Sequence, residues 1–516
     1  MAERAPRSAA WRQIRRKFDN IGLRWHARLD SDWADRSLPW ILSGTLFVLL
    51  GALSLARLRM GEAGVGLATS VQQLWLIDAG REPVSTITGV SPMGSTGAWL
   101  FYPLAWALGF VPRAAALVVI QSAALAYAVL PLWRIARRLA LLRVGAATAL
   151  VVAYGLFPTV HNLSLDDFQP VALAIPALFA LQHHGLAGHH VRLGLSALWA
   201  VGWRADLALT IAAFGVLLAV TRQRRAGIVV AVTAGLYTVA AALAPWLGAG
   251  DGLSPATGAY TRFGSGAGGV AVGLLTRPGT VLGSLGAEQN FVWVTALLLP
   301  LALLPLLSFR YLTPALPWFL LAAVGERDAR LDLTLLSAPL VPFLLVATAF
   351  ALVKVGRRQH DRVAVHPRLS AALMVATLIG FIGTADASPY NKPWGWGGRD
   401  LEDQARSEAQ DRVEGSEAVV VSPSLAAALA ERAELWLFVP GEPVPLGTEV
   451  VVIDRADLVD AGVDEDIVDD VARPEGFGIE FDLRGVAVFR PLEVLASGDR
   501  SPERDDGNGS DGSAGR

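Results

Sequence analysis

Long apolar stretches recur through the first three quarters of the chain, separated by short polar breaks. A bilayer's hydrocarbon core takes about 20 apolar residues of helix to cross, and in lipid every backbone polar group must find its partner inside the segment. Together these requirements leave a bundle of helices as the fold: an all-α polytopic membrane protein. Candidate spans lie at 38–56, 114–133, 144–160, 170–181, 193–203, 206–221, 226–247, 291–307, 311–324, 334–353 and 369–385, about eleven in all. The run 193–203 is short for a crossing and needs packing inside the bundle; without it the count is about ten. Composition agrees, with 17% of residues charged against about 25% in soluble proteins.

Charge then orients the spans. With the N-terminus cytoplasmic, the breaks on that side hold Arg134, Arg137, Arg138 and Arg143, then Arg192, then Arg222, Arg224 and Arg225, then Arg310, then Lys354, Arg357, Arg358 and Arg362. Short loops rich in Lys and Arg stay inside. The expected location is a bacterial plasma membrane, multi-pass, with the C-terminus extracytoplasmic. The bias toward Ala, Gly, Val and Arg points to a GC-rich bacterial genome. The asymmetry concerns orientation and gives no footing for nucleic acid. The absence of cysteine excludes disulfides, thiolate metal sites and a cysteine nucleophile.

Four regions follow. Residues 1–37 form a basic cytoplasmic segment, too long for a signal peptide's start. Residues 38–385 form the transmembrane domain, with a large first outer loop at 57–98. Within that loop Val65, Leu67, Ala68, Val71, Leu74 and Trp75 recur at helical spacing, which predicts a helix on the membrane surface over 65–79. The run 99–111 is too short to span and reads as re-entrant or interfacial. Residues 386–496 form an extracytoplasmic α/β module, with strands expected at 417–422, 434–438, 449–454 and 485–490 and helices at 424–432 and 458–472. Residues 497–516, rich in Ser, Asp and Gly, read as disordered. Between 248 and 290 a glycine-rich loop carries a literal GxGxxG at Gly264–Gly269. No strand precedes it and no helix is evident after it, so a flexible loop is expected rather than a nucleotide site.

Four groups of residues can carry chemistry. Asp166 and Asp167, with His161, lie in a polar break between two apolar runs; adjacent carboxylates and a histidine can act as acid and base or hold a divalent metal. The competing reading is a solvated turn with an N-capping aspartate. Arg204 and Asp206 interrupt the stretch 193–220: either the arginine holds a phosphate with Asp206 aligning it, or the two form a structural ion pair at a helix break. Gln72, Gln73, Asp78 and Arg81 (with Glu82) can line a polar groove, or they are the wet face of the surface helix. His183, His184, His189 and His190 pair across a short turn and lack an acidic second shell for a metal.

The order of motifs resembles a known family. Gln72-Gln73-Leu74-Trp75 followed by Gly80-Arg81-Glu82-Pro83, then Tyr102-Pro103-Leu104, Phe168-Gln169-Pro170-Val171, Arg204-Ala205-Asp206, Ser337-Ala338-Pro339 and Leu435–Pro440 in the tail resemble the bacterial membrane-protein family called domain of unknown function 2079, over about residues 64–455. That family looks like the C-type glycosyltransferase fold, and the resemblance implies a polyprenyl-phosphate sugar as donor, with an acidic residue of the first outer loop as base or metal ligand. The chain departs from the pattern at Gly66 and Val71, where the family carries Asp in that loop. It departs again at Gln169 and Val171, at Ala205, and at Leu335-Leu336.

Three functions are compatible with these features. One is a transferase moving a sugar from a lipid-phosphate donor to an envelope glycan acceptor on the outer face, with Asp166 or Asp167 as base or metal ligand. The second is a non-catalytic relative that binds a lipid-linked ligand or scaffolds envelope enzymes. The third is a transporter, for which no inverted repeat is visible. In each the immediate partner is membrane lipid.

Overall fold

The computed structural model describes residues 30–243, 260–325, 333–385, 387 and 401–497, apart from positions 31, 62, 222, 360 and 465. The basic start, the break around Asp328 and nearly all of the stretch 497–516 lie outside the described residues. The chain divides into two compact units, 1–398 and 399–516.

The first unit is built from α1 (Asp32–Arg59), α2 (Val65–Asp78), α3 (Arg113–Leu139), α4 (Val144–Gly155), α5 (Pro158–Leu165), α6 (Pro170–Ala187), α7 (His190–Trp203), α8 (Leu207–Thr221), α9 (Arg224–Leu243), α10 (Gly266–Thr276), α11 (Glu288–Leu301), α12 (Leu304–Tyr311), α13 (Thr313–Val324), α14 (Thr334–Val355) and α15 (Pro367–Thr384). Six of these, α1, α3, α6, α9, α14 and α15, are long and apolar enough to cross a membrane. The bent pairs α4/α5 (43°) and α11/α12 (101°) raise the number to eight if each is one span. The sequence reading of about eleven therefore becomes six to eight: α7 has 14 residues and α8 has 15, and α13 is shorter than the spanning helices too.

The bends have local causes. Pro158 opens α5 with extended Phe157 before it, since proline has no N–H to continue a helix and pushes its predecessor out of the helical region. Between α11 and α12, Ala302 and Leu303 sit at φ +52° and +57°, a conformation that turns the chain out of a right-handed helix. The glycine-rich stretch also departs from expectation. It holds α10, whose N-cap is Ser265, with a further helix at Pro278–Leu285.

Burial grades the bundle from centre to rim. In α14 and α6 the spanning windows are 83% and 72% buried, against 6% in α9. Trp133, Tyr154, Phe157, Phe179 and Phe343 fill the core between them. At one end of the bundle the arginine-rich breaks meet. Arg137, 1% exposed, pairs with Asp30 at 2.9 Å and Asp35 at 2.5 Å, and Arg362 of the hairpin β1 (Arg357–Gln359) and β2 (Arg362–Ala364) donates to the Arg137 carbonyl at 2.6 Å. A buried guanidinium needs such partners.

Helices α8 and α9 touch through glycine. A β-carbon on Gly215 would lie 2.5 Å from the Ala231 nitrogen, and one on Gly227 would collide with the Ala219 backbone.

The second unit carries a helix, α16 (Leu401–Asp411), and five strands, β3 (Val419–Val421), β4 (Leu435–Leu437), β5 (Val450–Asp454), β6 (Phe477–Leu483) and β7 (Val486–Pro491), in the order β4-β3-β5-β7-β6. β3 runs parallel to β4 and β5, while β7 is antiparallel to β5 and β6. The central strands are mostly apolar and buried along their length, with Asp454 and Arg490 at their ends. Beneath them Arg490 pairs with Glu417 at 2.6 Å and Glu480 at 2.5 Å. The expected helix at 424–432 is only Pro423–Ala426, and that at 458–472 is two short pieces, Arg455–Asp460 and Val468–Val471. Edge strand β6 and α16 are additions to the sequence reading.

Gly227→Leu should cost about 1–3 kcal/mol by overpacking α8 against α9, with the larger share at this position because the collision is with backbone. Thermal unfolding of the detergent-solubilised protein checks this, with Gly235→Leu, which meets nothing within 4 Å, as the control.

Candidate functional site

Three helix ends converge beside the link 166–169, and each leaves backbone groups without intrahelical partners. Helix α2 begins at Val65 with Gly64 as N-cap and no side-chain cap of its own. Asp167 supplies it from across the chain: Oδ2 accepts from the Gly66 N–H at 2.7 Å, and Oδ1 accepts from the Leu67 N–H at 2.7 Å and its neighbour Phe168 N–H at 2.7 Å. A carboxylate there also meets the positive end of the α2 dipole. The carbonyls at the C-terminal end of α5 are taken in turn. Gln121 Nε2 donates to Leu163 (2.7 Å), Ser54 Oγ to Ser164 (2.8 Å) and Arg57 Nη1 to Leu165 (2.8 Å). Gln121 also donates to the Asp167 carbonyl at 2.8 Å and accepts from the Gln169 N–H at 2.8 Å, so one buried amide holds both sides of the link.

The two aspartates therefore have different work. Asp167 is enclosed, and burial pushes its carboxyl up to about 6; the N–H groups of Gly66, Leu67 and Phe168 pull the other way, and Asp166 adds a small push upward. Asp166 is open to solvent, its side chain 51% exposed, with Arg57 at 3.8 Å. Ser54, Arg57, Gln121, Ser164, Asp166 and Asp167 line a small pocket of about 20 Å³, room for one water-sized group.

The other sequence candidates stand apart from this pocket. His161 is a residue of α5, 1% exposed, its ring edge-on to Phe381 with centroids 4.7 Å apart. Arg204 and Asp206 form a two-pronged ion pair (3.1 and 2.5 Å), and the guanidinium lies over Trp318 at 5.0 Å. Gln72 and Gln73 are buried, not wet: Gln72 accepts from Ser85 Oγ (2.6 Å) and donates to Thr86 Oγ1 (2.9 Å), while Gln73 donates to the Val90 carbonyl (3.1 Å), so both tie the loop 85–90 to α2. Asp78 pairs with Arg113 at 2.5 Å, and exposed Arg81 lies over Trp75 at 5.7 Å. Among the described residues no three His, Asp or Glu side chains gather to hold a metal ion. His183, His184 and His189 pack ring to ring with centroids 4.8–6.3 Å apart.

Sequence reasoning passed over Gln121, Arg57, Ser54 and Ser164. The available signal was Gln121-Ser122, two hydrogen-bonding residues within an otherwise apolar stretch after Arg113. Gly66 gains a reason. A β-carbon there would lie 2.5 Å from Asp167 Oδ2, and one on Gly64 would strike the same carboxylate.

A mostly helical bundle with six to eight candidate spans, a small sheet unit and a polar site between helix ends defines a multi-pass integral membrane protein. A family model described as "Predicted membrane protein (DUF2079)" matches residues 63–454. The chain belongs to that family. No curated protein matches it.

The raised Asp167 value fixes a pH response. An unfolded aspartate titrates near about 3.9, so between about pH 4 and 6 the folded chain holds a proton that the unfolded chain has lost, and stability falls as pH rises through that window. Asp167→Asn should flatten this slope in thermal unfolding measured from pH 4 to 7, and Asp167→Ala should cost about 0.5–2 kcal/mol as a lost helix cap.

Proposed function

We propose that this membrane protein is a transferase of the C-type glycosyltransferase kind, moving a sugar from a lipid-phosphate donor to an envelope acceptor on the outer face of a bacterial plasma membrane. In this reading the N-terminus is cytoplasmic, the sheet unit is extracytoplasmic, and the short helices α7, α8 and α13 count among about eleven membrane segments. The observation that carries it is the solvent-exposed Asp166 carboxylate beside the Arg57 guanidinium, 3.8 Å apart. Gly66, where the family pattern has an acidic residue, abuts the Asp167 carboxylate, so an acidic group stands at that place in space although another part of the chain supplies it.

The roles divide by exposure. Asp166 is the general base: it takes the proton of an acceptor hydroxyl as that oxygen bonds to the anomeric carbon and the bond to the donor phosphate breaks. Arg57, held by the Leu165 carbonyl, faces the phosphate as charge builds on it. Asp167 is a positioning residue that clamps the link to α2. Arg204, engaged by Asp206, stabilises the turn between α7 and α8.

One observation favours a second reading, a non-catalytic relative that binds a lipid-linked ligand or scaffolds envelope enzymes. Both Asp167 oxygens are spent on backbone N–H groups.

Comparing envelope glycolipids in a deletion strain with those in strains complemented by wild type, Asp166→Asn or Asp167→Asn separates the two. The transferase reading expects a glycan species to vanish on deletion and return with wild type, with Asp166→Asn lowering it by about 10²-fold or more at unchanged protein level. Restoration by both variants sinks the catalytic assignment.

A further inference from the structure

We infer that the basic end of helices α7 and α9 holds an anionic phospholipid, its tail in the groove between them and its phosphate on Arg225 and His190. This lies outside the proposed transferase site, and the chain path shows why. Helix α6 leaves the Asp167 link and ends at Ala187; α7 returns toward Arg204, α8 goes out again, and α9 starts at Arg224. His190 and Arg225 therefore stand at the end of these helices opposite the Asp167 link. The two turns are tied together there by Gln223 Nε2 donating to the Gly185 carbonyl at 2.7 Å.

The groove follows from packing. The glycine contact draws α9 onto α8, while α7 packs on α6, with Trp199 Nε1 donating to the Leu173 carbonyl at 3.1 Å. Helices α7 and α9 are thus held to different neighbours, and a cavity of about 630 Å³ remains between them, lined by Ala197 and Leu198 of α7, Ile211 of α8, and Val229, Ala234 and Tyr237 of α9, with His190 and Arg225 at its basic end. That volume lies within the about 300–1,000 Å³ of ordinary ligand sites. Leu198 and Val229 are 53% and 60% exposed, so the groove opens sideways, toward bilayer lipid for a helix that spans.

Charge selects the lipid. From Phe168 to Tyr237 the only acidic residue is Asp206, which Arg204 engages at the other end of α7. Around the basic end stand Arg192 and Arg224, both exposed, and Arg134, Arg138 and Arg192 act electrostatically on the histidines His183 and His184. An apolar slot whose lining, among the described residues, ends in cations and holds no carboxylate matches an acyl chain ending in a phosphate with net negative charge.

The test uses the full-length protein in nanodiscs of phosphatidylcholine doped with phosphatidylglycerol, with retained lipid counted by native mass spectrometry. Wild type should retain phosphatidylglycerol in preference to phosphatidylcholine. Arg225→Ala should cut that retention by about fivefold, the share of one basic residue at a membrane surface, and Ala197→Trp should remove it by filling the groove with the charges intact. Asp166→Asn should leave it unchanged, so that loss of the transferase reading does not touch this one. Equal retention of both lipids, or wild-type retention in both groove variants, overturns the proposal; so does displacement of the lipid by inorganic phosphate alone.

Discussion

The structure turns on a single carboxylate. Helix α2 starts without a cap of its own, and Asp167, a hundred residues away in sequence, gives its two oxygens to the first N–H groups of that helix. Gly64 and Gly66 leave the room for it. Around this bond the carbonyls at the end of α5 are answered by Gln121, Ser54 and Arg57, so that α1, α2, α3 and α5 meet at one polar knot in an apolar bundle. Unpaired backbone groups are costly wherever they are buried. A link that also has to present Asp166 to solvent is fixed by satisfying every helix end around it.

Much of the fold was legible because lipid makes strict demands. The long runs at 38–56, 114–133, 334–353 and 369–385, and 226–247 as far as residue 243, fall in helices long and apolar enough to cross a membrane. By length and composition, six to eight of the described helical segments reach across, and the remaining apolar runs form shorter helices. Helices α8 and α13 are apolar but shorter than a crossing needs, and α7, with His190 and Arg192 near its start, is short as well. In the sheet unit the buried strands announced themselves as valine runs. β6 did not, because an edge strand has one partner and keeps an exposed face, although Phe477, Ile479, Phe481 and Leu483 do alternate with polar or small residues.

The site was legible in part. The Asp166–Asp167 pair stood out as charge between two apolar runs, and it does line a polar pocket. What sequence could not show is that the neighbours face different ways, one into a helix end and one toward solvent. Nor could it show that His161, only five residues earlier, turns into the core against Phe381. Gln72 and Gln73 read as a wet face since polar residues on a surface helix usually are one. Their burial comes from the loop 85–90 folding back over them, a long-range event without local signature.

That same distance along the chain has a consequence for biogenesis. Helix α2 is synthesised early, but its first turn stays incomplete until residue 167 has left the ribosome, after α3, α4 and α5. Domains form as their parts emerge, N-terminal portions first, and a contact between residues 66 and 167 must wait for its later partner. The first turn of α2 thus stays uncapped while the first half of the bundle is made, and it is closed only when the link that bears Asp166 arrives. Order of synthesis and assembly of the site are one event.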